Sequence, residues 1–389
     1  MPNIMDYLEW RGDLTLAEAP LCEVDNLIFC LLSYVDLEGI VPRDASGGGQ
    51  TIRAAAAEYF FAHPETGERP LGLIIPADIL TLFRRMAHTR RYRDLILTSY
   101  VSETSEERQT QFAALTVRMS DDAVFVAYRG TDDTIVGWKE DFNLSFMDEV
   151  PAQRSAAAYL NNLDVTLDTA IYVGGHSKGG NLAVWGAVHA EERIRRCIRQ
   201  VYSNDGPGFS EGTVASEAYR TLSDRIRVIL PEDSLVGLLL EHDPRYTVVQ
   251  SNRRGLFQHD GLTWEVLGGS FLRAEGLSSY GLRNDTVARA RIDSMTMGER
   301  REFIRLMFTL LEATGAKTLT ELHNGRVRAA LTALKTFREM PEADRETASY
   351  LWEKLVVRSN PIQIPVPRQT QTKKPRGRIR VSFFPLFLP

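Results

Sequence analysis

Hydrophobic positions in the middle of the chain fall into short, nearly continuous runs rather than a helical stripe. They are "AVFVAYRG" (Ala123 to Gly130), "AIYVGG" (Ala170 to Gly175), "RQVYSN" (Arg199 to Asn204) and "RIRVILP" (Arg225 to Pro231). Runs of this length without alternation predict strands buried on both faces, as in a parallel sheet. Helical patterns separate them, so residues 71–291 predict an α/β core of βαβ units. Residues 1–70 read as mostly helical. "LIFCLLSYV" (Leu27 to Val35) predicts a core helix, well short of the roughly 20 residues that span a bilayer, and "AAAAEYFFAH" (Ala54 to His63) is dense in helix formers. Beyond the core, "TMGE" places Thr296 as an N-cap with Glu299 three residues on, the capping-box spacing, before "FIRLMFTLLEA". With two further helices it predicts an extension over residues 292–358. From Ser359 the chain turns rich in proline and positive charge, which predicts a disordered basic tail over 359–389. No internal repeat is visible.

Composition narrows the class. The 389 residues are 43% hydrophobic and 25% charged, enough for a large core. The net charge of -5 is small, so a nucleic-acid partner is not indicated. Cys22, Cys30 and Cys197 are odd in number and lack CxxC spacing, which suits buried thiols in a reducing compartment. Asp6, Glu9, Arg11 and Asp13 leave no apolar signal region at the start, so a cytoplasmic location is expected. In the tail, Arg368, Lys373, Lys374, Arg376, Arg378 and Arg380 precede "FFPLFL". Such a tail could adhere weakly to an anionic membrane surface, at about 1 kcal/mol per basic residue. A merely solvated tail is the plainer reading.

The candidate chemistry sits in "YVGGHSKGGN" (Tyr172 to Asn181). A phosphate-binding loop needs glycine and lysine before the hydroxyl, whereas here Ser177 precedes Lys178. A dinucleotide fingerprint needs G-x-G, but the positions two after Gly174 and Gly175 are His176 and Ser177. What fits is G-x-S-x-G, Gly175 to Gly179, between a predicted strand and a helical run. In that arrangement the glycines let a strained serine stand exposed, and the N–H of Lys178, at a helix N-terminus, can donate to an oxyanion. The alternative is a glycine-rich structural turn.

A nucleophilic serine needs a later acid and histidine in the order Ser, Asp/Glu, His. Asp233 follows the strand "RIRVIL", and His259 lies in "NRRGLFQHDGLTW" between strand-like segments. His63 and His88 precede Ser177, His176 adjoins it, His189 rides the following helix and His323 lies in the extension, which leaves His242 as the competitor. Asp205, in "SNDGPGF", also satisfies the order. Strand counting favours Asp233, after the second strand past the nucleophile, while Asp205 before Gly206-Pro207-Gly208 reads as a turn former. A second oxyanion donor is expected from the strand-end loop in "VFVAYRGTDD" (Val124 to Asp133).

"AYRGTDDTIVGWKEDF", "GGHSKGGNLA" and "PEDSLVG" together resemble the class 3 lipases, with their R-G-T loop, W-x-x-D stretch and G-H-S-x-G-G turn. The closer likeness is to an uncharacterised, Mbeg-like bacterial branch, which "DYLEWRGDLTLAEAPLCEVDNLIFCLLSYVD" and "SNRRGLFQHDGLTWEV" also resemble, so that it covers roughly residues 1 to 290. The resemblance implies an α/β-hydrolase fold with Ser177 as nucleophile, Asp233 as acid, His259 as base and Thr131 as an oxyanion donor, with Asp141 steadying that loop. Class 3 lipases have an apolar residue after the serine, where this chain has Lys178, and no amphipathic lid is evident; both argue against an interfacial triglyceride substrate. The expectation is a serine hydrolase cleaving a small acyl ester or lipid, with no cofactor or metal and no signal for oligomeric state. An acyltransferase, or a degenerate hydrolase fold used as a binding module, are the other readings.

Overall fold

The four apolar runs become adjacent parallel strands, because a strand covered on both faces gains from apolar residues at every position. The computed structural model describes residues 2–64, 71–72, 75–76, 78–241, 245–283, 290 and 294–356. His242 and the tail 359–389 lie outside them. The central sheet runs in chain order: β1 (Gln50–Thr51), β2 (Ile96–Ser105), β3 (Thr110–Ser120), β4 (Ala123–Tyr128), β5 (Ala170–His176), β6 (Ile198–Asn204), β7 (Ile226–Pro231) and β8 (Tyr246–Val249). β1 to β4 pair antiparallel, and β4 to β8 pair parallel. Parallel pairing aligns the carboxyl ends of β4 to β7, where loops can converge on a site.

Helices cover both faces. On one side lie α1 (Ile4–Arg11), α2 (Glu23–Leu32), α3 (Ile52–Ala62) and α4 (Asp78–Met86). Their Ile4, Leu27, Phe29, Ile52 and Phe83 share one buried cluster with Leu115, Phe125 and Ala127 of the sheet. α2 is buried from Val24 to Leu32, the expected core helix. Residues 2–64 therefore form a layer of the core itself. A buried ion pair pins the layer: Arg91 Nη2 lies 2.5 Å from Asp25 Oδ2, and Tyr7 and Tyr92 donate their hydroxyls to Oδ1 of the same carboxylate.

On the other face, α5 (Ile135–Asn143) leads to α6 (Pro151–Asn161) and α7 (Lys178–His189), with the short α8 (Glu192–Cys197), α9 (Glu211–Val214) and α10 (Glu217–Leu222) beyond. Ala156, Leu182 and Trp185 pack there with Val126, Val173 and Val201. The extension opens at α11 (Met297–Glu312), where Thr296 and Glu299 form the expected capping box. Three further helices follow rather than two, because a short α12 (Leu319–Asn324) precedes α13 (Arg326–Glu339) and α14 (Glu342–Val356). Among the described residues, no helix is long and apolar enough to cross a membrane. A sheet parallel across β4 to β8, flanked by helices and turning sharply from β5 into α7, is an α/β-hydrolase fold.

Candidate active site

β5 ends at His176, and Ser177 turns the chain into α7 with φ 57° and ψ -134°. A non-glycine residue at positive φ is strained, and such strain persists only where surrounding contacts hold it. Here the Ser177 N–H donates to the Asn204 carbonyl at 3.0 Å. The flanking glycines are required by close approach: a Cβ on Gly175 would sit 2.0 Å from the Gly179 carbonyl, and one on Gly179 would sit 2.2 Å from the Tyr128 carbonyl oxygen.

The carboxylate that meets His259 is Asp205. Its Oδ2 lies 2.6 Å from His259 Nδ1, with Asp205 fully buried and the imidazole side chain 22% exposed. Asp205 Oδ1 accepts from the Ser234 hydroxyl and the Gly237 N–H, so donors hold the acid in one orientation. Asp233, the acid expected from strand counting, is engaged elsewhere. It accepts from the Gly255 N–H at 2.7 Å and the Ser278 hydroxyl, while its own N–H donates to Gln258. Asp233 thus ties down the loop that carries His259 without touching the imidazole. The physical reason is the packing of β6 beside β5: a Cβ on Gly206 would meet the Ser177 carbonyl oxygen at 2.8 Å, so the loop after Asp205 presses directly on the elbow. Gly206, having no side chain, is what permits this approach.

His176, which the sequence left as a mere neighbour of Ser177, packs against His259. Its ring packs at a tilt of 37° against that of His259, 4.7 Å between centroids, its Nε2 contacts the His259 carbonyl oxygen at 2.7 Å, and its Nδ1 faces the Tyr34 hydroxyl at 3.2 Å. A carbonyl only accepts, so Nε2 carries the proton and Nδ1 accepts from Tyr34. Burial penalises the imidazolium and pulls His176 down to about 3. The buried apolar setting of a G-H-S step at a strand end was the available signal.

The R-G-T loop follows β4. A Cβ on Gly130 would fall 3.1 Å from the Ser177 Cβ, which sets that loop against Ser177. Thr131 is buried and donates its hydroxyl to Asp141 Oδ2. Burial pushes the Asp141 carboxyl up to about 6, with the Lys178 ammonium pulling the other way. The Lys178 side chain runs inward: its ammonium is held by the Gln111 carbonyl and Oε1, both at 2.9 Å, and by Glu140 at 3.0 Å, and it is 1% exposed. Its charge therefore says nothing about the polarity of a substrate. Its backbone N–H lies in the first turn of α7, where N–H groups lack intrahelical acceptors. Among the described residues, no group of His, Cys, Asp and Glu side chains could hold a metal ion.

The family model described as Mbeg1-like matches residues 86–309, a span longer than half of the chain. No curated protein matches the sequence. Among solved structures, the chain is similar to Rhizomucor miehei lipase in its native propeptide complex, at 14% identity over 58% of this chain and 67% of that one, with a TM-score of 0.35. It is similar to M37 lipase at 17% identity over 55% and 68%, with a TM-score of 0.32. A fungal lipase in complex with an inhibitor is similar at 15% identity over 49% and 82%, with a TM-score of 0.29.

Proposed function

The chain belongs to the Mbeg1-like family, and we propose that it is a serine hydrolase that cleaves an acyl ester through Ser177, His259 and Asp205. The observation that carries this reading is the 2.6 Å contact between buried Asp205 and His259, beside a serine held at positive φ. A carboxylate at Nδ1 keeps the imidazole in the tautomer whose Nε2 can take a proton, and stabilises the imidazolium once it forms. Ser177 Oγ attacks the ester carbonyl as His259 takes its proton. His259 then returns that proton to the leaving alkoxide, and water repeats the sequence to release the acid. The N–H groups of Thr131 and Lys178 stabilise the tetrahedral oxyanion, each such donor being worth about 10²–10³ in kcat. Asp141 engages the Thr131 hydroxyl and so fixes the loop. Free Cys22, Cys30 and Cys197 suit a reducing, cytoplasmic setting.

The test is fluorophosphonate labelling of the full chain, combined with an ester panel of graded acyl length. Labelling confined to Ser177, abolished in Ser177→Ala, is expected, and no labelling of the folded wild type would overturn the reading. A binding module on the same fold would behave in that second way.

A further inference from the structure

We propose that the apolar cavity between α5 and the C-terminal extension binds a fatty acid, its chain inside and its carboxylate at His323 and Arg326. The cavity measures about 440 Å³, inside the range of roughly 300–1,000 Å³ of small-molecule sites. α5 presents Trp138 and Phe142 to it, the face opposite Glu140, while α11 contributes Phe308 and Leu311 and α13 contributes Ala329 and Leu331. Such a wall takes hydrocarbon and offers little to a polar body.

Polar atoms at the wall define the rest of the ligand. Trp138 Nε1 and His323 Nδ1 are buried, and neither finds a hydrogen-bond partner among the described residues. Buried polar groups without partners are rare and call for an occupant that supplies one. His323, in the last turn of α12, and the exposed Arg326, the first residue of α13, both line the cavity, and between them Gly325 opens the fourteen-residue α13 without a side-chain cap, so that its positive end lies between an imidazole and a guanidinium along the chain. An anionic head matches all three, and a carboxylate is planar enough for bidentate contact with Arg326. The extension that closes the cavity also grips the oxyanion segment: the Ile135 N–H donates to the Lys317 carbonyl, and the Leu319 N–H to the Asp133 carbonyl. Binding needs no catalysis, so the inference stands apart from the hydrolase reading.

The experiment measures cis-parinaric acid fluorescence on full-length Ser177→Ala protein, with displacement by decanoate and by uncharged decanol. Saturable binding of one probe per chain is expected. Arg326→Gln, at an exposed site, should weaken decanoate about tenfold, the scale of one charge-assisted contact, and leave decanol unchanged. Ala329→Phe, checked for folding by its melting transition, should abolish both. Absence of saturable binding, or equal binding by all three proteins, overturns the proposal. Probe binding that appears only after Phe384→Ser and Leu386→Ser would assign the cavity to the chain's own C-terminal segment and also overturn it.

Discussion

Asp205 and Asp233 both follow parallel strands after the nucleophile, and only three-dimensional packing tells them apart. Asp205→Asn should lower the fluorophosphonate labelling rate of Ser177 by roughly 10⁴-fold with the fold intact, because the imidazole loses its correct tautomer. Asp233→Asn should lose far less, since an asparagine oxygen can still accept from Gly255; the reverse ranking in folded variants would return the acid role to Asp233. His176 gives a second test. Its imidazole is held neutral to about 3 in the fold and titrates near 6.5 when unfolded. The unfolded chain thus binds the extra proton, and stability falls as pH drops from about 6.5 toward 3, by up to about 1.4 kcal/mol per pH unit. Urea titrations at stepped pH should show this loss in the wild type and not in His176→Gln. The sharp turn at Ser177 was legible because such a turn needs glycines at particular spacings. The carboxylate that contacts His259 was not, because an aspartate before Gly-Pro-Gly has the same appearance whether it shapes a turn or faces an imidazole.

Among the elements, α7 and α5 are joined by charge inside the protein. Glu140 accepts the N–H groups of Gln111 and Ala152 as well as the Lys178 ammonium, so strand β3 and helices α5, α6 and α7 meet at one carboxylate. Lys178→Met should destabilise the protein by about 3–5 kcal/mol in urea unfolding, because it strands the buried Glu140 charge. A cost below about 1 kcal/mol would mean that the charge is solvated in solution. The parallel strands stood out in the sequence by their unbroken apolarity. β2 and β3 did not, since Thr98, Thr110, Gln111 and Thr116 interrupt the pattern and are buried through contacts made elsewhere in the fold. α12 was missed for its length, six residues between two longer helices.

At the scale of the whole molecule, residues 2–64 form one wall of the core. Val24, Leu27, Ile28, Phe29, Leu31 and Leu32 are fully or almost fully buried, and each such side chain contributes roughly 1.5–3 kcal/mol, together comparable to the entire net stability of a domain, about 5–15 kcal/mol. Residues 71–358 expressed by themselves should therefore fail to unfold cooperatively and should bind a hydrophobic dye, whereas a chain ending at Arg358 should melt as the full-length protein does. A cooperative transition in the 71–358 fragment would make the N-terminal segment a separable unit. The sequence by itself determined the G-x-S-x-G turn between strand and helix and the parallel half of the sheet, because each is a local pattern of residue type and spacing. Only the tertiary structure decided that Asp205 faces His259, that Lys178 points inward to Glu140, and that the N-terminal helices belong to the core. Those are contacts between segments far apart along the chain, and residue type and local spacing carry no record of which distant groups will be brought together.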